Sequence, residues 1–343
     1  MNATIFSATL IALSIGSPEG TERFIGAYYY PWYYKERWTN EPVADTPRLG
    51  FYSSNDRKVA EQHVRWAKEA DLDFFLISWL TKEGHEGKNF ANVVLPEIQK
   101  ANFKFAMLYE TPLALNIPAG KPIDLNAVDA KGSKAGDRFV EHFDHLGDAY
   151  FKHPCCLKRD GKAVAVIYLV RDMVNADSYL TSVRQRAAAK GIELFLIADV
   201  VYWAKPESLD WAFLKRHFQA ATAYNMHFRP KFLSAVDAQF AECDRVARSH
   251  GLTFIPNAMP GYDDTPLRGE GRATLHRRRG DFYRESWKVA SKFVKQDQPL
   301  LFVTSFNEWH EGTELEPSDE YGDRYLKLTK ELAGGLRTQA SKK

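Results

Sequence analysis

The residues with the strongest claim to chemistry stand in one short stretch, Ser305-Phe306-Asn307-Glu308-Trp309-His310-Glu311-Gly312-Thr313-Glu314-Leu315-Glu316-Pro317. Glu308 and Glu311 are three apart. In one helical turn that spacing sets their Cβ atoms about 5–6 Å apart on one face. Two carboxyl groups in a partly dry site divide the labour of acid–base catalysis, because the first negative charge raises the pKa of the second. Hydrolysis of a glycosidic bond asks for that division, one carboxyl protonated and the other ionised. Phe306, Trp309 and Tyr321 offer apolar walls, and Asn307 a hydrogen bond. The spacing alone has a plainer explanation, since acids at a helix start are favoured by the helix dipole. Position decides for chemistry: the pair follows directly on the last apolar run of the chain, Leu300–Phe306.

Tyr28-Tyr29-Tyr30-Pro31-Trp32-Tyr33-Tyr34 is a second concentration, in a chain that is 13% aromatic. Aromatic faces with a polar edge suit the apolar C–H faces of sugar rings. Alternation along a strand sends only every second side chain inward, so part of this cluster packs the core instead. Glu141-His142-Phe143-Asp144-His145 sets two imidazoles three apart on a helix. No third ligand accompanies them, so the pair reads as helix surface and no metal is expected. The basic run Arg272–Arg279 reads as a solvated loop and helix start rather than an anion site. Nucleotide-binding glycine motifs, a G-x-S-x-G elbow and H-E-x-x-H are all absent, and no cofactor is indicated.

These groups must be carried by the elements between them. Short runs rich in Ile, Val, Phe and Tyr occur at Phe24–Tyr30, Asp73–Trp79, Phe103–Tyr109, Ala163–Leu169, Glu193–Asp199, Ala220–Tyr224, Leu252–Pro256 and Leu300–Phe306, as in buried parallel strands. Amphipathic stretches fit helices at Asp56–Ala70 (capped by Ser54 or Asn55), Asn89–Ala101, Lys134–Phe151, Asp177–Lys190, Ser208–His217, Phe232–His250, Asp281–Lys295 and Tyr321–Leu332. Gly191 and Gly251 stand where left-handed C-caps are wanted. Eight strand–helix units predict a single α/β domain over residues 21–343, a (β/α)8 barrel with extended loops on its C-terminal face. Tyr33–Ser53, Thr111–Ser133 and Asn257–Gly280 are those loops.

Composition sets the outer limits. Lys+Arg of 46 against Asp+Glu of 44 leave a net charge of +2, too little to hold a polyphosphate backbone, so nucleic acid is not an expected partner. Three cysteines, with Cys155 and Cys156 adjacent, make no disulfide framework, and Cys243 reads as a core residue of a helix. No apolar run reaches membrane-spanning length. The small apolar stretch Ile5–Ile15 predicts a signal peptide or unstructured leader over residues 1–20, although no Lys or Arg precedes it. With a signal the protein is secreted or periplasmic, without one cytoplasmic.

Taken together, Tyr29-Tyr-Pro-Trp-Tyr33, Gly50-Phe-Tyr-Ser-Ser-Asn-Asp56, Gln62-His63, Ser78-Trp79, His153-Pro154 with Asp160-Gly-Lys162, Pro260-Gly-Tyr-Asp-Asp-Thr265 and Thr304-Ser-Phe-Asn-Glu-Trp-His-Glu-Gly-Thr313 resemble glycoside hydrolase family 99, the endo-α-mannosidase family. The resemblance implies a metal-independent, retaining, endo-acting glycosidase on a (β/α)8 barrel, acting on an oligo- or polysaccharide. It implies that Glu308 deprotonates the mannose 2-OH, whose oxygen attacks the anomeric carbon to give a 1,2-anhydro sugar. Glu311 is then the acid that protonates the leaving oxygen and the base that later activates water. Tyr29, Tyr30, Trp32, Trp79, Leu80, Glu110, Tyr224, Tyr262, Asn307, Trp309 and His310 are the residues implied to bind substrate. One departure stands out: where the family carries Trp-Trp-Gly after the second strand, this chain has Trp79-Leu80-Thr81, and the loop beyond Glu110 also differs. Two other functions fit the same resemblance: a family-99-like domain in polysaccharide assembly, and a barrel that binds carbohydrate without cleaving it. Neither the glycan nor the oligomeric state follows from the sequence.

Overall fold

The computed structural model describes residues 22–340 apart from 225, 227–230 and 273, together with Ser14–Ile15. The leader at residues 1–20 lies outside the described residues except for Ser14–Ile15, which pairs in parallel with Lys158–Arg159.

Eight strands follow the apolar runs: β1 Phe24–Tyr29, β2 Phe74–Trp79, β3 Lys104–Tyr109, β4 Lys162–Ile167, β5 Leu194–Asp199, β6 Ala220–Thr222, β7 beginning with Thr253–Ile255, and β8 Leu300–Val303. Each pairs in parallel with the next from β1 to β7, and β8 pairs in parallel with β1. The ring closes through β7. Pro256, which has no N–H for a ladder, splits this strand. Thr253–Ile255 pairs with β6 on one side, and Asn257–Ala258 pairs with β8 on the other. The result is the (β/α)8 barrel that the alternation predicts.

Two layers of apolar side chains follow from the period of two along each strand. Tyr28, Phe74, Leu76, Ala106, Leu108, Val164, Val166, Phe195, Ile197 and Phe302 fill the barrel interior. Ile25, Tyr29, Phe75, Ile77, Trp79, Phe105, Met107 and Tyr109 point outward beneath the helices. Buried on both faces, the strands read as continuous apolar runs.

The helices depart from expectation mainly at their ends. Arg57–Glu69 is capped by Asp56, whose carboxylate accepts from the Lys58 N–H at 2.8 Å, rather than by Ser54 or Asn55. Ser54 is used elsewhere, its hydroxyl accepting from the Tyr33 N–H at 3.0 Å. The helix expected from Asn89 starts at His85 and passes through a widened turn at Phe90–Val94. The final helix runs Arg324–Ala340, well past Leu332. Gly334-Gly335 looks like a stop, but Ala333 and Leu336 keep the buried face going, and Arg337 beyond them pairs with Asp73 at 2.7 Å. Gly191 and Gly251 take positive φ after their helices, as expected. Cys243 is buried in the helix Phe232–Ser249. No helix of the described residues is long and apolar enough to cross a membrane.

Gly26 shows how tightly the interior is packed. A Cβ there would lie 2.1 Å from the Phe74 ring. Gly26→Ala should therefore cost about 1–3 kcal/mol of stability by overpacking. The expected measurement is a lower urea midpoint at unchanged slope; full parental stability would contradict this packing of Phe74.

Candidate active site

The chain leaves β8 into a loop pinned at every few residues. The Ser305 N–H donates to the Thr313 carbonyl at 2.9 Å, and the Ser305 and Thr313 hydroxyls lie 2.8 Å apart. The Glu308 N–H donates to the Ser305 hydroxyl at 2.7 Å, and the Glu316 N–H to the Phe306 carbonyl at 2.8 Å. Trp309–Glu311 forms one tight 3-10 turn with Glu308 as its N-cap, the Glu308 carboxylate accepting from the His310 N–H at 3.2 Å. In such a turn residues three apart eclipse, so Glu308 and Glu311 share a face. Gly312 ends the turn at φ 59, where a Cβ would lie 2.9 Å from the Asp263 carbonyl oxygen.

That face floors a cavity of about 390 Å³ at the C-terminal mouth of the barrel. The segment after β1 contributes Tyr30 and Trp32, and the residues just past β2, β3, β4 and β6 contribute Leu80, Glu110, Tyr168 and Tyr224. Parity explains which side chains arrive there. Leu76, Ser78 and Leu80 alternate inward along β2, as do Tyr28 and Tyr30 along β1.

The reactive groups touch one another. The Tyr30 hydroxyl donates to the Tyr224 hydroxyl at 2.6 Å, and Tyr224 donates to Glu311 Oε2 at 3.1 Å. Tyr224 is held by its N–H to Asp199 at 3.0 Å and by an edge contact with Tyr28 at 4.8 Å. The Ser78 hydroxyl donates to Glu110 Oε1 at 2.9 Å. Burial pushes Glu110 up to about 8, against the Ser78 hydrogen bond that pulls it down. Glu308 is also pushed up by burial, countered mainly by Arg37. Glu311 is pushed up by burial first and by the Glu308 charge second, with Tyr224 opposing. Two carboxyl groups thus share one floor, Glu308 buried and Glu311 partly exposed, where burial makes both resist ionising, the condition under which one stays protonated beside an ionised neighbour.

Of the residues expected to bind substrate, Tyr30, Trp32, Leu80, Glu110, Tyr224 and His310 line this cavity with the glutamate pair. The others stand outside it. Tyr29 is turned away by parity, stacking on Phe75 at 4.5 Å and donating its hydroxyl toward His63. Trp79 is likewise outward, stacked on His145 at 5.9 Å and edge-on to His142. His142 itself sits 2.9 Å from the Tyr109 hydroxyl, so the histidine pair packs against the sheet. Asn307 bonds both ways with the Tyr30 backbone, accepting at 2.8 Å and donating at 3.1 Å, and so ties β1 to the loop. Trp309 donates its indole N–H to Glu316 at 2.9 Å. Tyr262 donates to Asp264 at 2.8 Å and faces a separate cavity of about 140 Å³. Arg277 corrects the solvated-loop reading of its run: it is buried, donating to the Gly312 and Glu314 carbonyls at 2.9 Å each and pairing with the Glu314 carboxylate.

Arg37, Glu41, Glu86, Tyr168 and Arg268 also line the cavity and were not foreseen. Tyr168 is recoverable, since it continues the inward parity of Val164 and Val166. The other four sit on or at the end of helices of only four to six residues, Lys35–Asn40, His85–Asn89 and Thr265–Arg268, too short for a periodic pattern to mark them. Among the described residues no three His, Cys, Asp or Glu come together as metal ligands.

Residues 35–329 match the family model described as "Glycosyltransferase WbsX". The rat glycoprotein endo-α-1,2-mannosidase is 23% identical over 345 residues, covering 85% of this chain and 67% of that protein. The frog enzyme from Xenopus laevis, a glycoprotein endo-α-1,2-mannosidase, is 38% identical over 286 residues, covering 79% of this chain and 57% of its own. Among solved structures, the family-99 endo-α-mannosidase of Bacteroides thetaiotaomicron superposes with a TM-score of 0.72 at 21% identity, covering 93% of this chain and 99% of that one. A glycoside hydrolase-like protein gives a TM-score of 0.74 at 20% identity, over 91% and 94% of the two chains. The chain belongs to the WbsX family, and its relatives in sequence and fold include endo-α-mannosidases of glycoside hydrolase family 99.

Proposed function

We propose that this protein is a retaining, endo-acting glycoside hydrolase that cleaves an α-mannoside or a related glycan. One observation carries the reading: two glutamates on a single pinned turn floor the barrel mouth, one of them hydrogen-bonded by Tyr224. The names of the relatives support the sugar class, and the roles given to the two glutamates are those that the family resemblance implies.

In the first step Glu308, ionised, takes the proton of the 2-OH while O2 attacks C1. The C1–O bond to the leaving sugar breaks and Glu311 protonates the departing oxygen. In the second step Glu311 takes a proton from water, water opens the 1,2-anhydro ring at C1, and Glu308 returns the proton to O2. Each carboxyl ends as it began. Tyr224 holds the Glu311 carboxyl in place for both transfers, and Tyr30 in turn holds Tyr224. A carbohydrate-binding barrel has no use for this coupled pair. The family description favours a second reading, glycosyl transfer, in which a sugar hydroxyl replaces water in the second step. Sizing the products of a panel of α-mannans, with their anomeric configuration followed by NMR, distinguishes the two and tests the first: shorter, retained products mark hydrolysis, and longer ones mark transfer. No turnover of any glycan would overturn the reading.

Glu311→Gln keeps the shape but removes the acid, so turnover of a natural glycoside should fall about 10²–10⁴-fold. A substrate with an activated leaving group should lose less, and equal losses on both would refute the assignment. The pH profile should be a bell that belongs to the pair. Burial raises both carboxyls, so activity should rise through the base and fall through the acid at pH values above the usual carboxylate range of about 4. A 2-deoxy substrate should bind without turning over; ready hydrolysis would exclude attack by O2.

Leu80 sets a further expectation. It lines the cavity where the family resemblance places an indole, and it offers no flat π-face. A stacked sugar there loses roughly 0.5–1.5 kcal/mol of aromatic contact. The smaller side chain leaves room for a bulkier or branched sugar. Leu80→Trp should raise kcat/KM on an unbranched α-mannan, and a loss through overpacking would count against an open subsite.

A further inference from the structure

The Glu308 side chain has a neighbour that the two-step scheme leaves idle. His310, 4% exposed, places Nδ1 3.3 Å from Glu308 Oε1 and Nε2 3.5 Å from Glu41 Oε2. Neither ring nitrogen has a formed hydrogen bond. The ring is fixed over Tyr33 at 5.5 Å and beside Trp38 at 6.2 Å. Glu41, whose side chain is 34% exposed, stands at the rim of the cavity. Arg37 grips it at 3.1 Å and is itself laid over Trp32 at 4.1 Å from the ring centre. An imidazole therefore spans the gap from a buried carboxyl to one in contact with water.

Burial holds His310 well below the ordinary imidazole range, so the ring is neutral, with one N–H and one lone pair. A neutral ring facing two ionised carboxylates would aim its lone pair at a negative oxygen. The chain Glu308–His310–Glu41 is relieved of that repulsion by one further proton. Burial makes Glu308 its resting place, which is the wrong form for a base. A glycan lying on Glu308 then separates the carboxyl from the water of the cavity.

We propose that His310 and Glu41 form a proton exit for Glu308, emptying the base while substrate covers it; this rests on the reading of Glu308 as base. The Glu308 O–H bond breaks as Nδ1–H forms, Nε2–H breaks as Glu41 O–H forms, and Glu41 releases the proton to solvent. The ring ends in its other tautomer, with Nδ1–H donating to the ionised Glu308. Contacts of this length tighten when a substrate closes the site. Other charges also face Glu308. Arg37 and Arg268 favour its ionisation, whereas Glu41 opposes it. Glu110 and Glu311 stand across the floor, and Tyr30, Tyr33 and Tyr224 are held neutral by burial.

Glu41→Gln keeps the Arg37 side occupied but cannot take the proton. It should lower the plateau of kcat by up to about 10²-fold, with KM unchanged. The acid limb of the profile should move to lower pH, because a negative charge near Glu308 is gone. His310→Ala should show a similar loss, relieved by imidazole added to the buffer, with Tm reporting that the barrel is intact. A ¹³C-carboxyl NMR titration of glutamate-labelled protein, with Glu308→Gln as the assignment control, follows the midpoint of Glu308 without any turnover. Glu41→Gln should lower that midpoint. Unchanged kcat in Glu41→Gln, or a folded His310→Ala variant that imidazole does not restore, overturns the exit. Absence of glycan cleavage in the parent protein overturns the hydrolase reading instead, while the titration still reports whether Glu41 and Glu308 are coupled.

Discussion

Glu316 is the fastening on which the site depends. Its carboxylate is almost wholly buried and accepts from the Tyr52 hydroxyl at 2.8 Å and the Trp309 indole at 2.9 Å, with His63 Nε2 at 3.0 Å. His63 comes from the helix after β1, and its other nitrogen lies 3.0 Å from the Tyr29 hydroxyl. One carboxylate thus joins β1, the helix Arg57–Glu69, the long loop carrying Tyr52, and the turn carrying Glu308 and Glu311. Removing a single partner from such a network leaves a buried group unsatisfied, which costs far more than a surface contact. On the opposite side Arg277 grips the Gly312 and Glu314 carbonyls. The turn has little freedom left.

That rigidity is what makes burial useful. Glu110, Glu308 and Glu311 all resist ionising because of it. A loose turn would let the carboxylates swing toward solvent and recover ordinary acidity. Each desolvated carboxyl costs stability, offset by the apolar layers inside and outside the barrel. Tyr224 adds direction, since its hydroxyl donates to Glu311 Oε2 at 3.1 Å. The two acids therefore differ in surroundings although they sit three residues apart: a tyrosine hydroxyl for one, an imidazole and a guanidinium field for the other.

Much of this was legible in the sequence, and for a definite reason. Strands buried on both faces leave apolar runs, and all eight were found; a barrel's topology then follows from alternation alone. The Ser305–Glu316 stretch announced itself by carrying Glu308 and Glu311 directly after the last run. Tyr29 and Trp79 came from the family resemblance, and the alternation already noted for the tyrosine cluster accounts for their place outside the cavity, since neighbours on a strand face opposite ways. Tyr30 and Leu80, one residue further on in each case, are the ones that reach the cavity. Asn307 and Trp309 belong to the same lesson on a turn: they serve the site by holding it. Arg37, Glu41 and Arg268 were illegible because the helices that carry them, Lys35–Asn40 and Thr265–Arg268, are too short to show a period, and their meaning appears only when segments distant in sequence meet at one mouth.

The contrast between the family's description as a glycosyltransferase and its relatives' names as mannosidases has a physical resolution in the same floor. In the proposed scheme, hydrolysis and transfer share the first bond cleavage and differ only in which hydroxyl Glu311 would activate next. The carboxylate pair is indifferent to that choice. What else lines the cavity differs from the pair in kind: Arg268, Glu41 and Leu80 stand around the turn. A (β/α)8 barrel can change its reaction by changing the side chains around its mouth while the barrel itself stays fixed. On the proposed scheme, the side chains around the pair, rather than the glutamates, would then choose the substrate.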